Sequence, residues 1–445
     1  LHDALPISTE SGSGQKEEWY WAAPILLDRR HHGGATTAFF AEDASLAPEQ
    51  SEDSDESSGW KEHAEQARQV ATGNYRPVGQ PPADLAEVLA LMAIAGPAIC
   101  ALRALTATVD RLDLSTDVEV RRQAGRIAWG LKSLFNTPES AALLFGKPYW
   151  RSVLDYCASG CLQGVLDEYL HVLLESEGLT GKKPQEATQR LAEVVAEASS
   201  MRAATPGLDW VEMNNSGRLD IENQRVRSRF AMRFGDEQGE REGADVRKEN
   251  VRQAFNSPFW PFVLATTSIG QEGLDFHPYC HAVVHWNLPN NPVDMEQREG
   301  RVHRYKGHAV RKNVAQRARM DNLTIPVGTN PWPELFRHAS SSVPEQFADV
   351  KPFWVYPMEG GAVIERHVPT LPLSREAIRW PALRRSLAVY RMVFGQPRQE
   401  DLLAHLQQTV PPERLPSLAV EMSVNLEPPA SDSDGSVFPP ETSPA

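Results

Sequence analysis

At 445 residues the chain is long enough for two or three domains. Its apolar fraction of 41% and charged fraction of 23% are those of an ordinary soluble globular protein. A net charge of −14 argues against a general nucleic-acid binder, so any such surface must be local. Four cysteines (Cys100, Cys157, Cys161, Cys280) are too few for a disulfide scaffold and fit a reducing cytoplasm.

The chain opens at Leu1 rather than Met, which suggests a truncated start, and no signal-peptide pattern follows. Residues 1–80 are expected to be irregular. A Trp19-Tyr20-Trp21 patch precedes an acidic, Ser-rich run over residues 49–58 (EQSEDSDESS), whose composition predicts a disordered linker. Residues 82–200 read as a helical domain. Residues 88–102 carry no charge, but they fall short of the roughly 20 residues a membrane span needs. Gly96-Pro97 also interrupts them, so a buried helix pair is expected. Thr137-Pro138-Glu139 is a helix start. Residues 161–174 (CLQGVLDEYLHVLL) and 187–198 have the three- and four-residue apolar spacing of amphipathic helices.

The pattern changes over residues 205–325. Segments 230–234, 262–267 and 282–286 read as strands, with helices over 246–255 and 293–302. Strands alternating with helices predict a parallel sheet in an α/β domain. Residues 209–213 (DWVEM) are the choice for its first strand. Residues 330–410 read as a mixed α/β appendage, with a strand over 353–356, Ser374 as a helix cap, and an amphipathic helix over 383–394. Residues 428–445 are Pro/Ser/Asp-rich and predict a disordered tail.

Two segments carry chemistry. In VLATTSIGQEGLDF (263–276) an apolar strand ends in Thr266 and Thr267, followed by a loop with Gly270, Gly273 and Asp275. Ligands of open parallel sheets bind beyond the carboxyl ends of strands. Small and hydroxyl residues there let backbone amides approach phosphates, and Asp275 could accept from a ribose hydroxyl. The plainer alternative is a tight strand-to-helix turn. The second segment is NLPNNPVDMEQREGRVHRYKGH (287–308). Asn291 caps a helix, Pro292 suits its first position, and Asp294 sits at the third. On that helix Gln297, Arg301 and Arg304 fall at i, i+4 and i+7 and share a face. Gly300 allows close approach, and the two arginines make a fork for polyphosphate oxygens. A solvated basic helix is the alternative.

Gln297, Gly300, Arg301 and Arg304 form QxxGRxxR, which resembles motif VI of superfamily 2 helicases, and ATTSIGQEGLDF resembles their motif V. The stretch between, AVVHWNLPNNPVDMEQREGR, resembles the RapA-like branch of chromatin-remodeller-type translocases. The resemblance spans about residues 245–310 and implies a RecA-like C-terminal lobe. It implies that Arg301 and Arg304 reach the γ-phosphate of ATP as arginine fingers and that Gln297 couples two lobes. It implies too that Gly273, Asp275 and Gly300 contact nucleotide, and that Thr266 and Thr267 contact nucleic acid or the coupling network. The implied partner is nucleic acid, with double-stranded DNA favoured over RNA.

No GxxxxGK[ST] occurs in the 445 residues. The first lobe, which would bind the triphosphate and hold Mg2+, is therefore expected in another part of a longer protein or in a separate subunit. Asp167-Glu168 lies in an amphipathic helix and is a poor candidate for its acidic motif. From Arg298 to Arg319, eight Lys/Arg stand against one acid, Glu299, a local patch suited to phosphates. His277, Cys280 and His281 lack the second ligand pair of a structural zinc site, so no metal is expected. Two readings stay open: a motor lobe, or a non-catalytic interaction module retaining a helicase-like lobe.

Overall fold

The computed structural model describes residues 14–31, 54–109, 118–136, 149–200, 207–213, 219–225, 231–234, 244–266, 275–348, 350–372, 374–394 and 408–414. The helices and strands in chain order are α1 (Gly14–His31), α2 (Ser54–Thr72), α3 (Leu85–Ala95), α4 (Pro97–Thr108), α5 (Val118–Phe135), α6 (Tyr149–Ala158), α7 (Cys161–Ser176) and α8 (Pro184–Ser199). Then come β1 (Gly207–Met213), β2 (Leu219–Arg225), β3 (Ala231–Phe234), α9 (Ala244–Phe255), β4 (Val263–Thr266), β5 (Ala282–Val284) and α10 (Pro292–Gly300). The chain continues through α11 (His308–Met320), α12 (Pro331–Ser341), β6 (Glu365–His367) and α13 (Glu376–Phe394). The chain forms two compact units. The larger takes its described residues from Leu1–Cys280 and Tyr305–Ala362, and the smaller from His281–Arg304 and Val363–Ala445.

The larger unit is built on the expected helical region. Gly96 breaks the long apolar stretch into α3 and α4, because its extended φ of −58° and ψ of 150° leave the helical well, and Pro97 starts the next helix. The stretch Leu85–Thr108 is long and apolar enough to cross a bilayer, but α4 lies in the protein core. Its Cys100, Ala101, Ala104 and Leu105 are fully buried among Ile127 and Leu131 of α5, Leu166 and Leu170 of α7, and Leu191 and Val195 of α8. Helices α7 and α8 lie where the apolar spacing predicted them. Thr137-Pro138-Glu139 lies outside the described residues, as do residues 428–445.

Residues 1–80 differ from the irregular segment expected. Trp21, Ala22 and Ile25 of α1 pack against Ala67, Val70 and Ala71 of α2. The aromatic patch supplies the apolar face that composition averaged away. The second half of the acidic run, residues 54–58, opens α2. Residues 49–53 lie outside the described residues.

Among the described residues the strands fall into three pairs, two of them parallel as an α/β domain requires. Strands β3 and β4 pair in parallel, Ala231 to Val263 through Phe234 to Thr266, within the larger unit. Strand β5 pairs in parallel with β6, Ala282 to Glu365 through Val284 to His367, within the smaller unit. The segment 209–213 is a strand, but β1 pairs antiparallel with β2 as a hairpin and joins neither parallel pair. Residues 353–356, expected as a strand, are a turn and loop. The appendage's strand is β6, and Ser374 stands two residues before α13 with its hydroxyl unpaired.

The segment Tyr305–Ala362 completes the larger unit. Asn330 accepts from the Trp332 amide (3.0 Å) to cap α12. Its amide nitrogen donates to Thr108 Oγ1 (2.8 Å) and to the Asp167 carbonyl (3.1 Å), so one side chain ties three helices. His171 of α7 stacks on Trp332 at 6.2 Å. Burial first, then the charges of Lys306 and Arg311, push its imidazole down to about 3, so it packs as a neutral ring.

The packing of α5 on α8 generates a prediction. A methyl on Gly130 would sit 2.3 Å from Ser199 Oγ and 2.8 Å from the Ala196 Cα, whereas one on Gly125 would meet nothing within 4 Å. Gly130→Ala is expected to destabilise by about 1–3 kcal/mol through overpacking. Gly125→Ala should stabilise by about 1 kcal/mol through helix propensity. Urea denaturation of both variants, with opposite shifts in midpoint, checks this.

Candidate phosphate-binding helix

The smaller unit presents α10. Asn291 Oδ1 accepts from the Asp294 amide at 2.8 Å, and its Nδ2 donates to Asp294 Oδ2 at 3.0 Å. Pro292 occupies the first turn, so the helix starts as its sequence predicts. Met295 is fully buried with Leu288 and with Leu383 and Leu387 of α13. The opposite side carries Gln297, which is exposed.

The helix ends earlier than residue 302. Its last helical residue is Gly300, and Arg301 is the C-cap with φ −68° and ψ −24°. Amides of Val302 and His303 both turn back to the Glu299 carbonyl, at 3.0 Å each. Arg304 therefore lies in the exit loop rather than on the helix, and the shared helical face covers only Gln297 and Arg301. The loop still returns Arg304 to the motif. A methyl on Gly300 would have Arg304 Nη1 as its nearest neighbour, at 3.9 Å. That is an ordinary contact, so among the described residues no packing demands this glycine. Arg301 and Arg304 are both half-buried and stand at a helix C-terminus, where the partial negative charge favours cations.

A residue that sequence reasoning treated only as a lone acid in a basic run fixes this helix. Glu299 is 4% exposed. Arg366 of β6 donates to it through Nη2 at 2.7 Å and Nε at 2.5 Å, and His285 Nε2 lies 3.2 Å from Oε1. Burial would raise this carboxyl. Hydrogen bonds from His285 and Arg366, with the guanidinium charge of Arg366, outweigh it and hold the group far below the usual carboxylate range. Arg366 also lies over the Trp380 ring, 5.4 Å from its centroid. The signal available in the sequence was the position of Glu299: four residues after Met295, it belongs to the inward stripe of the helix. Arg298 donates to the Asn287 carbonyl at 2.8 Å, and desolvation lowers its pKa, so it braces the turn before the helix.

The other candidate residues lie in the larger unit. Thr266 ends β4 and is exposed. Thr267 and Gly273 lie outside the described residues. Asp275 is half-buried, and Asn256 Nδ2 donates to its carbonyl at 2.9 Å. Next to it Phe276 is buried edge-on against Phe234 and Phe255, both at 5.8 Å.

The basic stretch is less free than its composition suggests. Arg311 is 1% exposed. Its Nε donates to Glu168 at 2.8 Å, and its Nη atoms donate to the carbonyls of Lys306 and Pro278. Lys306 pairs with Glu175. Arg317 pairs with Asp321 at 2.8 Å on the surface. The acids of α7 thus neutralise two cations, and Lys312 and Arg319 are the exposed ones nearby. Among the described residues no group of three or more His, Cys, Asp and Glu could hold a metal ion.

Removing one partner of a buried ion pair strands the other charge, at a cost of about 3–5 kcal/mol. Glu299→Ala and Arg366→Ala are each expected to cost that much. The folded carboxyl titrates below its unfolded value of about 4.3. Its contribution is therefore complete above that pH and fades as pH falls below it. Thermal melts of wild type and Glu299→Gln between pH 3 and 7 check the sign: wild type should lose its advantage only on the acid side.

No curated protein and no solved structure matches the chain. Residues 242–306 match the model of the helicase conserved C-terminal domain, a span that runs from α9 through β4, β5 and α10 to Lys306. The chain therefore carries, over that span, the segment of a helicase C-terminal lobe that contains Gln297, Gly300, Arg301 and Arg304.

Proposed function

We propose that this chain supplies the second, RecA-like motor lobe of an ATP-dependent helicase or double-stranded DNA translocase of superfamily 2, in its RapA-like branch. The observation that carries the reading is the end of α10. An open Gly300, with the Arg304 guanidinium drawn up beside it and Arg301 at the cap, sits inside the span that matches the helicase domain. The helix under it is locked from within by Glu299, so Arg301 at its cap stands on a fixed element and Arg304 leaves from it in the exit loop. Rigid support is what a charge-stabilising site requires, because reorganisation at the moment of reaction would forfeit the gain.

In this reading water attacks the γ-phosphorus of ATP, the bond to the ADP oxygen breaks, and negative charge spreads over the transferring oxygens. The planar guanidiniums of Arg301 and Arg304 stabilise that charge more than the ground state. Gln297, exposed on the same helix, couples the lobe to its partner. Asp275 and Gly273 contact nucleotide, and Thr266 and Thr267 contact nucleic acid. The sequence has no GxxxxGK[ST] motif, so in this reading the triphosphate and its Mg2+ would be held by a first lobe, in cis or in trans. Magnesium, when bound there, neutralises the β- and γ-phosphates.

The 445-residue chain alone should show no nucleic-acid-stimulated phosphate release, and sustained turnover would overturn the two-lobe reading. In the two-lobe protein, Arg304→Ala and Arg301→Ala are each expected to lower kcat by about 10³- to 10⁵-fold with little change in Tm. Arg304→Lys should rescue poorly, because an ammonium cannot form the planar fork. Arg298→Ala should act mainly on stability. Turnover that survives loss of both arginines would favour an interaction module instead.

A further inference from the structure

The segment Tyr305–Ala362 belongs to the larger unit, and there the chain builds a column of rings. Phe336 of α12 stacks on Phe353 at 5.8 Å and 12°, and Phe353 stacks on Tyr305 at 5.7 Å and 16°. Trp354 meets Tyr305 edge-on at 5.8 Å and 70°. The column starts in the core, with Phe336 4% exposed, and ends at the surface, with Tyr305 43% and Trp354 49% exposed.

Lys306 holds the column together. Its amide donates to the Phe353 carbonyl at 2.7 Å. Its ammonium lies 4.6 Å from the Phe336 centroid and 5.4 Å from that of Tyr305, and pairs with Glu175. To do this Lys306 takes a φ of +48°, a left-handed conformation that costs a lysine energy and persists only where its surroundings impose it. On the same side of the sequence, Lys351 lies 5.1 Å over the Phe347 ring.

Single exposed apolar side chains are ordinary. Two large rings in edge-on contact, both about half exposed and one of them backed by a fixed stack, are a preorganised aromatic corner that offers ring faces, with a cation close by in sequence. The bases of a duplex have their faces covered, whereas an unpaired base offers a face that stacks on any aromatic ring. We propose that Tyr305 and Trp354 form a stacking platform for an unpaired base of single-stranded nucleic acid, with Lys351 meeting an adjoining phosphate. This rests on the nucleic-acid motor reading above and adds to it a grip on an opened strand, beside the phosphate contacts expected of Thr266 and Thr267.

The test uses the full chain and fluorescence anisotropy with three probes: a labelled oligodeoxythymidine, an abasic deoxyribose-phosphate strand of equal length, and a duplex. Tyr305→Ala and Trp354→Ala are each expected to weaken the oligodeoxythymidine by about 5- to 150-fold. The slope of affinity against salt should not change, since no phosphate contact is lost, whereas Lys351→Ala should reduce it. Trp354→Leu, which keeps apolar volume without a flat ring, should lose the affinity and keep the melting temperature, and Trp354→Phe should retain most of the affinity. The abasic strand should bind all ring variants as it binds wild type. The platform is overturned if the ring variants bind oligodeoxythymidine normally, or if they lose the abasic strand equally. Oligodeoxythymidine binding that is as insensitive to the rings as duplex and abasic binding removes the platform alone. Failure of wild type to bind any probe at low salt removes the motor reading with it.

Discussion

A carboxylate placed inside a protein must be neutralised, and in this chain that requirement falls on Glu299, one residue before the glycine of QxxGRxxR. An isolated charge there would cost several kcal/mol, so the fold must deliver a cation to it. It delivers Arg366, from a strand 67 positions away in sequence, and His285 from the end of β5. Once those bonds form, the parallel pairing of β5 with β6 and the seating of Met295 against α13 have their register fixed from one point. The helix that ends at the Arg301 cap therefore has its inward face pinned by electrostatics and by packing together.

The larger unit solves a similar problem in reverse. There the buried charges are cationic, Arg311 and Lys306, and the acids come from one face of α7, Glu168 and Glu175 at i and i+7. Each cation also rests on aromatic rings, Arg311 on Tyr279 and Lys306 on Phe336, which repays part of the lost hydration. The helical region is thus the counter-charge for the residues that follow the arginine motif in sequence. Its role in the fold is electrostatic as well as apolar, and His171 remains neutral because burial first, and then the charges of Lys306 and Arg311, oppose its protonation.

This distribution of charge alters what the basic stretch can do. A cation already bonded to a carboxylate of its own chain cannot release counterions when a phosphate arrives. The stretch that reads as one patch is divided among structural cations (Arg298, Lys306, Arg311), the half-buried pair at the end of α10, and a few exposed residues on α11. Recognition of a strand in this region must then draw on more than charge, and the ring column ending at Tyr305 and Trp354 is the other kind of surface on offer.

The sequence by itself determined the local elements and pointed to the segment that matches the helicase C-terminal domain. The 3.6-residue spacing placed α7 and α8, Gly96-Pro97 divided α3 from α4, and Asn291-Pro292 started α10, because each depends on neighbours within a few positions. The ordered glycine, glutamine and arginines of the two motifs were legible for the same reason. Tertiary structure decided what depends on distant partners. Whether β1 joins a parallel sheet or folds back on β2 is a matter of pairing, which a strand pattern does not specify. That the strand of the C-terminal region pairs with β5, that Glu299 finds Arg366, and that Arg311 is interior were decided by long-range charge neutralisation, which leaves no local period. The early end of α10 belongs here too: the turn after Gly300 follows from the Glu299 carbonyl accepting two amides, a choice made only once Glu299 is fixed inside.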